Sequence, residues 1–140
     1  MVKIHQDKWV DGCALVRPEG DLDVFTVAPF RRTLAELAGS DRLIIDLSAV
    51  VFIDSAGLGA LIGGIRDTRE RGGQVVVACS RPGLVRVLHS TGLDKMVTVT
   101  ASLAEAARAL RRPAGAEPVD DDDRIREPAA PQRGVELPWR

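Results

Sequence analysis

Leu43-Ile44-Ile45-Asp46-Leu47, followed by Val51-Phe52-Ile53-Asp54-Ser55-Ala56-Gly57-Leu58-Gly59-Ala60-Leu61-Ile62-Gly63-Gly64-Ile65-Arg66, is the stretch on which the fold turns. The first five residues are short, apolar on both faces and rich in β-branched side chains, the pattern of a strand covered from both sides. After Ile53 the period becomes helical, and the helix is expected to end near Arg71, before Gly72-Gly73. At about 100° per residue, Leu58, Leu61, Ile62 and Ile65 share one arc, which is the expected buried stripe. Ser55, Gly59, Gly63, Arg66 and Glu70 share a different arc that faces solvent.

Working outward, Gln74-Val75-Val76-Val77-Ala78 repeats the doubly apolar strand pattern, and Met96-Val97-Thr98-Val99 is a further strand candidate. Towards the N-terminus, Cys13-Ala14-Leu15-Val16 and a weaker run near residues 4–10 flank Asp11-Gly12, a two-residue hairpin signal. Thr26 can cap a helix to about Ala38, with Val27, Phe30, Leu34 and Leu37 at helical spacing. Arg81-Pro82 opens a short helix through Leu84, Val87 and Leu88, stopped near Thr91-Gly92. Ser102-Leu103-Ala104-Glu105 is a capping box for a last helix to about Leu110. The expected order is ββαβαβαβα: an α/β fold with a mixed sheet of about five strands and about four helices, its βαβ crossovers right-handed.

Composition bounds the rest. A chain of 140 residues holds one domain and a tail. The boundary falls at Pro113: residues 113–140 carry five of the eight prolines, the run Asp120-Asp121-Asp122-Asp123, and seven acidic against four basic residues. Such a segment cannot bury enough to offset its ordering entropy and is expected to be disordered, leaving residues 1–112 as the domain. Net charge is −1, so no global field favours nucleic acid or acidic lipid. Cys13 and Cys79 sit in apolar runs and read as buried small hydrophobes, without metal-ligand spacing. The start of the chain is too polar for a signal peptide, and no apolar run has the length of a membrane span. A cytoplasmic protein with no cofactor or metal and no direct contact with nucleic acid or membrane is the expectation.

Ser55 stands at the start of its helix. It can simply cap that helix. As a nucleophile it lacks context: the sequence around it is I-D-S-A-G rather than G-x-S-x-G, and neither His5 nor His89 is placed as a base. A helix N-terminus does tolerate a phosphoserine, so phosphorylation there would leave the domain folded and act on whatever binds its surface. Each glycine inside a helix costs about 1 kcal/mol against alanine. Close packing explains Gly57 or Gly64, but explains Gly59 and Gly63 poorly; on a solvent-facing flank they leave a shallow surface that another protein could approach.

The strand at residues 43–47 and Phe52-Ile53-Asp54-Ser55-Ala56-Gly57-Leu58 resemble the strand and phosphosite motif of STAS-domain proteins, which include the bacterial anti-sigma factor antagonists. Gly20-Asp21-Leu22-Asp23, Arg71-Gly72-Gly73, Val75-Val76-Val77 and Thr91-Gly92-Leu93 resemble that family's other segments in the same order, over roughly residues 5–110. The resemblance implies partner switching and no enzymatic activity of the chain itself. The unphosphorylated antagonist binds an anti-sigma factor that is a serine kinase, freeing a sigma factor; phosphorylation releases it and a serine phosphatase restores it. By position Ser55 matches the phosphoacceptor, Asp54 the acidic residue before it and Asp23 the loop aspartate. Gly59, Gly63 and Arg66 complete the expected partner-binding face. Ala56 departs from the pattern, standing where many members carry a second serine. Taken singly, Asp54 can be no more than a helix cap and Asp23 no more than a turn residue. Two other readings stay open: a STAS scaffold or transport-system subunit with a non-sigma partner, and a nucleotide-binding regulatory domain suggested by Gly57-x-Gly59-x-x-x-Gly63.

Overall fold

A computed structural model describes residues 3–8 and 13–111. The Asp11-Gly12 turn and the segment 113–140 lie outside the described residues. The elements are β1 (Lys3–Lys8), β2 (Ala14–Leu22), α1 (Val27–Leu37), β3 (Arg42–Asp46), β4 (Val50–Ile53), α2 (Ser55–Glu70), β5 (Gln74–Ala78), α3 (Pro82–Ser90), α4 (Leu93–Met96), β6 (Thr98–Thr100) and α5 (Leu103–Arg111). The strands form one mixed sheet in the order β1-β2-β3-β5-β6, with β4 paired to β2. β1 runs antiparallel to β2, and every other pairing is parallel.

The expected α/β order is present, with two additions. The sequence pattern assigns no strand to residues 50–53, and their burial, with the two ends buried and the middle exposed, follows no strand period. β4 exists because β2 outruns β3: residues 14–16 of β2 pair with β3, and Gly20, Asp21 and Leu22 pair with β4. The register shifts between Gly20 and Asp21, where Gly20 has φ of 107°, a bulge that bends β2 towards its second partner. The single turn α4 follows Gly92, whose left-handed φ of 79° ends α3. It seats Leu93 in the core and moves the last strand to Thr98–Thr100, so Met96 belongs to α4 instead of the strand.

Alternation along β3 and β5 explains why both looked apolar throughout. Leu43 and Ile45, with Val75 and Val77, meet Phe30, Leu34, Leu61, Ile65 and Leu88 on the face covered by α1, α2 and α3. Ile44 and Val76 point the other way, against Ala106, Ala107 and Leu110 of α5. The expected capping box of α5 is formed in half: Glu105 N–H donates to Ser102 Oγ at 3.1 Å, but the Glu105 side chain reaches one residue further back and accepts from Ala101 N–H at 3.1 Å.

The stripe buried by α2 is rotated from the expected one. Gly57, Ala60, Leu61, Ile65 and Thr68 are buried, while Leu58 and Ile62 are only half-buried. The small residues turn inward because they let the helix axis approach: a Cβ on Gly57 would lie 2.5 Å from the Leu22 carbonyl oxygen, and one on Gly64 would lie 2.6 Å from Leu34 Cδ1. Hydrophobicity ranks Leu58 above Gly57, but close packing ranks them the other way.

Candidate functional site

β2 and β4 run parallel and end together, with Leu22 opposite Ile53. The segments leaving them, residues 23–26 and Asp54, therefore emerge side by side at the carboxyl ends of adjacent strands, where α/β sheets commonly place binding sites. Asp54 N–H donates to the Leu22 carbonyl at 3.1 Å, closing the junction.

Asp54 is the N-cap of α2. It has extended backbone angles, and its Oδ1 accepts from Ala56 N–H at 2.9 Å and from Gly57 N–H at 3.1 Å. Its second oxygen accepts Val24 N–H at 3.3 Å, which ties the neighbouring loop to the helix start. The expected capping role is thus taken by Asp54, and Ser55 becomes the first helical residue with its side chain exposed. Sequence reasoning left the first-turn N–H groups available for a phosphate. Two of them are instead held by Asp54, so added negative charge on Ser55 would meet a carboxylate directly before it.

The adjoining loop is a locked turn. Asp23 Oδ1 accepts from Phe25 N–H at 2.9 Å and Thr26 N–H at 3.1 Å, and the Asp23 N–H donates to Thr26 Oγ1 at 3.0 Å. The Thr26 hydroxyl donates to the Asp21 carbonyl at 2.7 Å. Thr26 occupies the N-cap position of α1 but makes no side-chain cap bond, because its oxygen serves the turn instead. Asp23 is half-buried, with one carboxylate oxygen committed to this turn.

Along α2, Ser55, Gly59, Gly63 and Arg66 are all exposed on the flank opposite the buried stripe. An added Cβ at Gly59 or Gly63 would find nothing within 4 Å, in contrast to Gly57 and Gly64. Packing thus accounts for two of the four glycines and leaves two unexplained by the fold. The dinucleotide-loop reading loses support from the same facts, since Gly57 is sealed beneath β2 and Asp54 holds the first-turn N–H groups.

Sequence reasoning missed four exposed apolar residues in the segments that adjoin this point. Val24 is 64% exposed, Phe25 92%, Val51 67% and Phe52 52%. Val24 and Phe25 lie in the locked turn, and Val51 and Phe52 lie on β4 immediately before Asp54. The only signal was an apolar pair directly after each turn or strand start, and in a sequence such a pair reads as core. Among the described residues there is no cluster of three or more metal-ligating side chains, and no helix is long and apolar enough to cross a membrane.

The sequence model of the STAS domain matches residues 6–106. The chain is 32% identical over 106 residues to the anti-sigma-F factor antagonist RsfB of Mycobacterium tuberculosis, covering 72% of this chain and 84% of that one. It is 29% identical over 91 residues to an anti-sigma F factor antagonist of Paenibacillus polymyxa, covering 63% of this chain and 78% of the relative. Among solved structures, an anti-sigma factor antagonist from Mycobacterium paratuberculosis aligns with a TM-score of 0.74 at 28% identity, over 80% of this chain and 96% of that one.

Proposed function

Since the chain belongs to the STAS domain family, and within it to the anti-sigma factor antagonists, we propose that it is a partner-switching protein set by phosphorylation of Ser55. Unmodified, it binds an anti-sigma factor that is also a serine kinase, and so frees a sigma factor. The kinase transfers the γ-phosphoryl group of ATP to Ser55 Oγ, with ADP as leaving group, and the antagonist departs. A serine phosphatase hydrolyses the ester and restores binding.

The observation that carries this reading is the exposed Ser55 side chain at the first position of α2, on a flank with open glycines, with exposed apolar residues in β4 and in the 23–26 turn that adjoin the helix start. Apolar surface supplies affinity, and the hydroxyl is the one place on that flank where charge can be added and removed. Release from nanomolar to micromolar affinity takes about 4 kcal/mol. Helix-end electrostatics in the free domain are worth at most about 2 kcal/mol and act on folding rather than binding. Asp54, immediately before the modified residue, adds repulsion and desolvation to the phosphate once a partner excludes water. The interface term therefore decides. Asp23, Gly59, Gly63 and Arg66 contribute to the same contact in this reading.

The test is incubation with candidate kinase-type anti-sigma factors and ATP, read by intact mass. Phosphate should appear on the wild-type chain and not on Ser55→Ala. In binding measurements Ser55→Ala should stay bound in the presence of ATP, and Ser55→Asp should bind weakly. Wild-type binding by both variants would overturn the switch.

A further inference from the structure

β4 and the start of α3 enclose an open groove of about 320 Å³ beside the site. Val51 and Phe52 form one wall, Pro82, Gly83 and Val87 form the other, and Arg81 is its one charged lining residue. Arg81 Nε donates to the Ser48 carbonyl at 3.2 Å, which holds the base of the guanidinium in place. α3 starts without a side-chain cap, so its backbone dipole adds to the positive sign of Arg81. Ile53 also lines the groove and is two residues before Ser55 in the chain, so a partner seated on the serine has the groove within short reach.

We propose that this groove receives a short apolar segment ending in a carboxylate, contributed by the same partner that reads Ser55. The apolar walls bind the side chains, and Arg81 orients the segment by pairing with its acidic end. Charge sets direction here: a segment ending in a cation would place like charges together. The volume suits a few side chains. An anchor in this groove does not use the serine oxygen, so it supplies affinity and partner choice, whereas Ser55 supplies release. The inference rests on the switching function for the identity of the partner but not for the chemistry of the groove.

The test uses the full chain and fluorescence anisotropy. The probes are an N-terminally fluorescein-labelled, C-terminally amidated octapeptide alternating valine with threonine and ending in two glutamates, and its amidated counterpart ending in two lysines. The acidic peptide should bind saturably and about fivefold more tightly than the lysine peptide. Gly83→Leu should weaken it about tenfold, since nothing lies within 4 Å of an added Cβ there and the new side chain fills the groove instead of disturbing the fold. Gly83→Ala should give a smaller loss, and Arg81→Glu should reverse the preference between the peptides. Equal binding of the two peptides, or wild-type binding by Gly83→Leu, would overturn the proposal. Ser55→Asp should leave the titration unchanged; loss of peptide binding in that variant would assign the peptide to the serine site and overturn the groove. Failure of the switch leaves these titrations unaffected, so the two ideas fail separately.

Discussion

Gly57 and Gly59 are two residues apart on one helix, yet opposite constraints act on them. A methyl group on Gly57 would press on the carbonyl of Leu22, and backbone cannot move aside as a side chain can. Gly57→Ala should therefore destabilise the fold by about 1–3 kcal/mol. Gly59→Ala meets open space and gains helix propensity, so it should stabilise by up to about 1 kcal/mol. Urea denaturation of the two variants checks both signs, and a shared sign would mean that the seating of α2 on β2 is misdescribed. The unequal roles were legible in part, since helical spacing set Gly59 on the solvent flank. Close packing at Gly57 or Gly64 was legible too, but that Gly57 would displace Leu58 from the fully buried stripe was not. The choice depends on how closely α2 approaches the carbonyl at the end of β2, a distance no local pattern contains. Asp54 is similar: its capping role was legible, but its second bond, to Val24 N–H, joins residues thirty positions apart.

At the scale of the element, α2 and α5 differ in what they bury. α2 packs a full stripe between α1 and the sheet and keeps its other flank bare. Replacing Gly63 by arginine should leave the thermal midpoint within a few degrees of wild type, because the position is open and exposed. The same variant should weaken binding of the anti-sigma partner at least about tenfold, by placing a long cation in the contact. An unchanged affinity in calorimetric titration would remove this flank from the interface. Among the described residues α5 alone packs on the second face of the sheet, through Ala106, Ala107, Leu110 and the half-buried Leu103, so it has less to hold it. Its amides should exchange with deuterium before those of α1 and α2, followed residue by residue in NMR. α5 was readable from its capping box. β4 was not, because a four-residue strand is defined by the partner it finds rather than by its own period.

For the whole molecule, the sheet separates two cores, and the two cysteines report on one each. Cys13 is 1% exposed on the α5 face and Cys79 is 3% exposed on the other. Burial also pushes the Cys79 thiol up from its ordinary value, so less of the reactive thiolate is present at neutral pH. In native protein Cys13, beneath the more weakly held α5, should therefore react with a maleimide before Cys79, which should react only as fast as the protein opens globally, measured by mass. Labelling of both thiols at one rate would show instead that α5 does not lift off separately.

The α/β class, the order of the main elements, the helix that begins at Ser55 and the solvent-facing flank of that helix were all written in local sequence patterns. Each of these rests on local periodicity and on capping and turn chemistry, which act within a few residues. Long-range packing is what gives β2 a second partner, brings the 23–26 turn to Asp54, and leaves Val24, Phe25, Val51 and Phe52 in water. Whether an apolar side chain is buried depends on what the rest of the chain brings over it. That is a property of strand pairing and helix packing across long sequence separations, and an apolar residue left uncovered is spelled with the same letter as one in the core.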